Sequence, residues 1–168
     1  MGGEKGSYFR RDQAISGTDI YSYNIHFSEP SICQRCQAVW KKGKWSLDEA
    51  LRAEVKKWEQ PKSVLCQACR RIADDYPAGI VTLKGAYLQT HKEQILQTIH
   101  NEEANSKRKN PLERIIKMEE AKGTLTITTT DSKLARRIGK AVSESNGGQL
   151  EIKFSHGDEL VRVYWERN

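Results

Sequence analysis

Two Cys-x-x-Cys pairs, Cys33-Gln-Arg-Cys36 and Cys66-Gln-Ala-Cys69, are the residues whose type and spacing most directly specify chemistry in this chain. In such a knuckle a tight turn lets both thiolates reach one ion, and a second knuckle approaching antiparallel supplies the other two corners of a tetrahedron. Four sulfurs close the coordination shell. The expected cofactor is therefore one structural Zn2+ that folds the module and leaves no position for a substrate. The 29 residues between the pairs exceed ordinary ribbon spacing, and a helix between Ser46 and Trp58 accounts for the excess as an insertion. A redox dithiol, an iron–sulfur centre and unligated thiols are the competing readings of the same four residues.

Beyond the cysteines, no convincing catalytic pattern occurs. His91 and His100 are nine residues apart, which puts them on opposite sides of one helix, and His26 and His156 fall in an arm and a turn. Asp74-Asp75 and Glu119-Glu120 sit in polar segments, where adjacent carboxylates are usually solvated. No Gly-rich phosphate loop, nucleophile elbow or His-Glu-x-x-His motif occurs. A non-enzymatic protein without a small-molecule substrate is the expectation.

Two patches suit a polyanion. The tip Trp40-Lys41-Lys42-Gly43-Lys44-Trp45 interleaves two indoles with three ammonium groups, which suits stacking on an unpaired base beside phosphate contacts. The alternative is a solvated turn whose tryptophans pack inward. On a helix from about Asp131 to Asn146, Leu134, Ala135, Ile138, Ala141 and Val142 share one side, leaving Lys133, Arg136, Arg137 and Lys140 in an arc opposite. A solvated helix face is the plain reading of that arc, yet no acidic side chain neutralises it. Arg70-Arg71 and Lys107-Arg108-Lys109 add positive points. Net charge is +6, divided evenly as +3 before and after residue 80, so RNA contact would come from folded patches rather than a basic tail.

The elements that must position these residues read as an α+β chain. Residues 1–28 lack periodicity and are expected to form a mobile arm, with Tyr21, Tyr23, Ile25 and Phe27 alternating at its end as an edge strand. Residues 29–85 read as the zinc ribbon, with the helical insertion opened by a Ser46/Glu49 capping box, carrying Leu47, Leu51, Val55 and Trp58, and stopped by Pro61. The segment Tyr76-Pro-Ala-Gly-Ile-Val-Thr-Leu-Lys-Gly85, with a short apolar run flanked by glycines, should supply a strand that completes that ribbon. Residues 86–122 read as a helical connector: one helix with Leu88, Ile95, Leu96 and Ile99 on a face, then a short second helix from Asn110-Pro111 through Leu112, Ile115 and Ile116. Residues 123–168 read as a βαββ unit whose last two strands turn at His156-Gly157-Asp158.

The N-terminus has no apolar signal region and no window approaches a membrane span, so a cytoplasmic protein with no membrane partner is expected. In that reducing compartment paired cysteines favour metal ligation over disulfides.

The segment from Cys33-Gln-Arg-Cys36 through Cys66-Gln-Ala-Cys69-Arg-Arg and Tyr76-Pro-Ala-Gly-Ile-Val-Thr-Leu resembles a zinc-ribbon region of the nonsense-mediated-decay-protein-three family of large-ribosomal-subunit export adaptors. Gly123-Thr-Leu-Thr-Ile-Thr-Thr-Thr-Asp-Ser-Lys-Leu-Ala-Arg-Arg-Ile-Gly is similar to their next domain. Over nearly the whole chain, the sequence also resembles short bacterial single-ribbon proteins with Asn-Pro-Leu-Glu-Arg-Ile and the same βαββ end. The resemblance implies a zinc-dependent RNA- or ribosome-binding adaptor with Cys33, Cys36, Cys66 and Cys69 as ligands, acting on the large subunit in assembly or stress-related inactivity. The export adaptors resemble a double zinc site with twice as many cysteines and further domains, so nuclear export does not carry over. The alternative is a zinc-ribbon module that regulates transcription or recruits a protein partner through Trp40 and Trp45.

Overall fold

In the computed structural model, which describes Tyr21, residues 25–58, 60–155 and 160–168, the side chain of Trp58 excepted, the chain divides into two units, Met1–Arg70 and Arg71–Asn168. Most of the arm expected over 1–28, including Tyr23 of its edge strand, lies outside the described residues, as does the turn at 156–158. The described end of the arm, 25–28, is not a strand.

The N-terminal unit is built on β1 (Ser31–Cys33), β2 (Val39–Lys41), β3 (Lys44–Ser46), helix α1 (Glu49–Trp58) and β4 (Lys62–Val64). Its sheet runs β3-β2-β1-β4, antiparallel except for the β1–β4 pair. The β2–β3 loop is Lys42-Gly43, with φ of 55° and 73°. Positive φ at both positions is the requirement of the two-residue hairpin turn whose twist matches its strands, and glycine meets it without a Cβ penalty. Helix α1 is capped by Asp48, whose carboxylate accepts from the Ala50 and Leu51 amides at 2.8 and 3.2 Å. This corrects the capping box expected at Ser46. Ser46 is held in β3 opposite Val39, and its hydroxyl instead accepts from the Asp48 amide at 3.1 Å. The apolar side of α1 brings Val55 and Leu51 onto Ile32 and Val39.

The C-terminal unit contains the remainder of α2 (Gln67–Asp74), then β5 (Gly79–Lys84), α3 (Ala86–Thr90), α4 (Lys92–Lys109), β6 (Ile115–Ala121), β7 (Thr124–Thr129), α5 (Ser132–Asn146), β8 (Gln149–Phe154) and β9 (Val161–Glu166). The sheet order is β6-β7-β5-β9-β8. Only β5 and β9 are parallel neighbours. Consequently β5 and β6 are parallel with β7 between them, the split βαβ arrangement. Val81, Leu83, Leu125, Ile127, Val163 and Trp165 point to one face. There they meet Leu88, Ile95 and Ile99 from α3 and α4, and Leu134, Ile138 and Val142 from α5. Each such Leu or Ile contributes roughly 1.5–3 kcal/mol by leaving water. Helix α5 lies so close to the sheet that a Cβ at Gly139 would come within 2.3 Å of Val163 Cγ1; glycine is required there for packing.

Three sequence expectations change. The strand at 79–84 does not complete the ribbon but sits at the centre of the five-stranded sheet, because its partners β7 and β9 come from far along the chain. The second connector helix is absent: Asn110 instead closes a turn, its carbonyl accepting from the Glu113 amide at 3.0 Å and its side chain from the Leu112 amide at 3.1 Å. The β-branched Ile115 and Ile116 then enter strand β6, which reaches β7 through a second Lys-Gly hairpin, Lys122-Gly123, with φ of 52° and 75°. The single helix expected over 86–109 is broken at His91 into α3 and α4. The terminal strand–helix–strand–strand succession lies where the periodicity puts it.

Candidate metal centre and basic helix face

Strand β1 ends at Cys33, and the following turn is fixed by two backbone bonds, Gln37 amide to Cys33 carbonyl at 2.9 Å and Cys33 amide to Ala38 carbonyl at 2.8 Å. This turn brings Cys36 back beside Cys33. The other pair is presented differently from the expected second knuckle: Cys66 immediately precedes α2 and Cys69 lies in its first turn. The positive end of the helix dipole favours thiolate there. Amide hydrogens also point at sulfur, from Cys66 to Cys33 Sγ and from Cys69 to Cys66 Sγ, each at 3.4 Å.

The four sulfurs lie within 4.8 Å of one another and none is in a disulfide. Cys36 Sγ and Cys66 Sγ are 3.8 Å apart. A tetrahedron with metal–sulfur bonds of ~2.3 Å has sulfur–sulfur edges of ~3.8 Å, so the donor set fits one tetrahedral ion. Cys33, Cys66 and Cys69 are buried and Cys36 is half-buried. Without a cation, the four thiols cannot all ionise. Hydrogen bonds, first from Cys36 and then from Cys66 and Cys69, hold the Cys33 thiol far below its usual range. The bond to Cys33 is the leading cause that pushes Cys36 and Cys66 up. A divalent ion at the centre removes that like-charge conflict, and the four cysteines can hold a metal ion.

The indoles proposed for base stacking are core residues. Trp40 and Trp45 are each only 6% exposed, pair directly across the β2–β3 hairpin, and form an aromatic triple with Phe27 at centroid distances of 5.1–5.5 Å. Trp45 Nε1 donates to Gln67 Oε1 at 3.0 Å. Lys42 and Lys44 remain exposed at the tip and Lys41 is half-buried. Arg70 and Arg71 are buried; Arg71 donates to the Tyr76 carbonyl at 3.1 Å and lies over its ring. Both side chains are buried and offer no open phosphate contact.

On α5 the four cations separate by role. The helix starts under Asp131, whose carboxylate accepts from the Lys133 amide at 2.6 Å. Lys133 and Lys140 are exposed. Arg137 turns to α4 and the loop before β6, donating to Ser106 Oγ at 3.2 Å and to both oxygens of Glu113 at 3.1 and 3.3 Å. The Glu113 carboxylate is almost wholly buried; burial, then the Asp131 charge, push its pKa up against the pull of Arg137. Arg137 is thus tied to a buried acid, a role the sequence arc did not distinguish. Arg136 turns the other way, its guanidinium 5.8 Å from the centroid of the Phe154 ring.

The remaining candidates of the sequence have ordinary places. His91 stacks on Tyr87 at 3.7 Å, and exposed His26 and His100 belong to no group of three or more potential metal ligands among the described residues. Asp75 and Glu119 both pair with Lys117, at 2.9 and 3.6 Å, and Glu120 pairs with Lys92. Among the described residues, no helix is long and apolar enough to cross a membrane. Comparison with known proteins found no matching family model, curated protein or solved structure.

Proposed function

We propose that this chain is a zinc-dependent RNA-binding adaptor without catalysis, docking on the large ribosomal subunit in the cytoplasm during assembly or stress-related inactivity. The ion is Zn2+ because an all-thiolate, tetrahedral and closed shell suits a redox-silent d10 cation that serves structure. In this reading the N-terminal unit is a zinc ribbon with α1 as its insertion. The observation that carries the RNA reading is the α5 face: four cations within residues 133–140, the first acidic residue of the helix coming only at Glu144. Lys133 and Lys140 form no salt bridge among the described residues, although the Lys133 charge acts on the buried Glu113 carboxylate. The protein-recruiting alternative loses its anchors, since Trp40 and Trp45 are buried.

The test is a salt titration of affinity for large-subunit RNA. Because Arg137 supports the fold through Glu113, the informative variant is the pair Lys133→Gln and Lys140→Gln. The slope of log affinity against log salt should fall by roughly 0.7–0.9 for each lost phosphate contact. Unchanged affinity and slope would remove this face from the account.

A further inference from the structure

We infer that Phe154 is a base-stacking platform at the edge of the α5 cationic face, so that the bound partner is a single-stranded RNA segment rather than a duplex. This rests on the RNA-binding reading above. Phe154 ends β8, in phase with Leu150 and Ile152, which pack against the core. Alternation therefore turns its ring to the side of the sheet that α5 covers. Yet it is 63% exposed, the most exposed large apolar side chain described. What lies against it is Arg136, which has no carboxylate partner among the described residues. Lys133, Arg136 and Lys140 follow one another along the helix at a rise of roughly 1.5 Å per residue, and Arg136 is the one on the Phe154 side.

An exposed phenyl ring backed by a guanidinium offers a π face to an unpaired base, while the two neighbouring ammonium groups meet the phosphates. A duplex keeps its bases stacked inside and gains nothing from the ring. An acidic peptide would use the cations without needing an aromatic platform. Stacking reads the π face of any base, so the site should show little sequence preference.

The experiment compares wild type, Phe154→Ala, Phe154→Trp and the Lys133→Gln/Lys140→Gln pair against single-stranded oligouridine, single-stranded oligoadenosine and an RNA duplex, with thermal melts confirming that each variant is folded. Phe154→Ala should weaken binding to either single strand roughly 5- to 150-fold with the salt slope unchanged, spare duplex binding, and be rescued by Phe154→Trp. If Phe154→Ala binds single strands like wild type while the lysine variant is weakened, the stacking platform is overturned and the RNA-binding reading stands. If wild type binds none of the RNAs, including large-subunit RNA, the functional reading itself fails. Phe154-dependent binding to an acidic peptide or anionic vesicles in place of RNA would overturn the inference in favour of that partner.

Discussion

Chelation of the metal is expected to unfold the described part of the N-terminal unit and leave the five-stranded unit folded. The strands of the smaller sheet are three residues long and its aliphatic cluster is Ile32, Val39 and Val55 with Leu51 at the margin. Even with the Phe27, Trp40 and Trp45 triple beside it, that is a small buried surface against the chain entropy of ordering the unit. Metal binding in small structural zinc modules is worth about 10–16 kcal/mol, comparable with the whole stability of an ordinary domain, about 5–15 kcal/mol. If the fold persisted without the ion, buried Cys33, Cys66 and Cys69 and half-buried Cys36 would be held together with competing ionisation preferences. The four tryptophans report the outcome, because Trp40, Trp45 and Trp58 belong to one unit and Trp165 to the other. A chelated Trp165→Phe variant should show the red-shifted emission of solvated indoles and lose near-ultraviolet dichroism. Cys33→Ser should behave like the chelated protein. Unchanged spectra after verified metal loss would show that the unit folds without an ion.

Trp165→Ala should have the largest effect of any single core substitution in the C-terminal unit, about 3–5 kcal/mol. The ring is 1% exposed and is the largest fully buried side chain. Its strand position lies between Leu83 and Leu150, its edge meets Tyr87 at 6.4 Å, and its Nε1–H donates to the Gly147 carbonyl at 2.7 Å. The last bond ties β9 to the end of α5, so Trp165→Phe should also cost about 1–3 kcal/mol by leaving that carbonyl without its donor. Urea unfolding followed by far-ultraviolet dichroism distinguishes the two losses. A loss below about 1 kcal/mol for the alanine variant, within the range of surface changes, would contradict the assignment of Trp165 to the centre of this core.

The metal donors were legible because coordination is a local rule: Cys-x-x-Cys brings two sulfurs together whatever the rest of the chain does. Helix α5 and strands β8 and β9 were legible because their apolar spacing is regular and one-sided. The boundary between units was not, since Gly79–Lys84 looks like any short apolar strand and only its distant partners assign it to the second sheet. Asn110-Pro111-Leu112-Glu113 carries the signals of a helix start, but the β-branched Ile115 and Ile116 beyond it and the Lys122-Gly123 hairpin favoured a strand. The Trp40–Trp45 pair shows another limit. Two residues opposed across a hairpin share a face, and sequence alternation cannot say whether that face is wet. Burial moved the aromatic candidate from these indoles to Phe154, whose 63% exposure the alternation of its strand does not reveal.

The most direct test of the account is sedimentation of the tagged full chain from cell lysate through a sucrose gradient, at low and high salt, with and without prior chelation. Comigration with the large ribosomal subunit or whole ribosomes at low salt, lost at high salt and after chelation, is the expected result. Retention at the top of the gradient under all conditions would contradict ribosome docking.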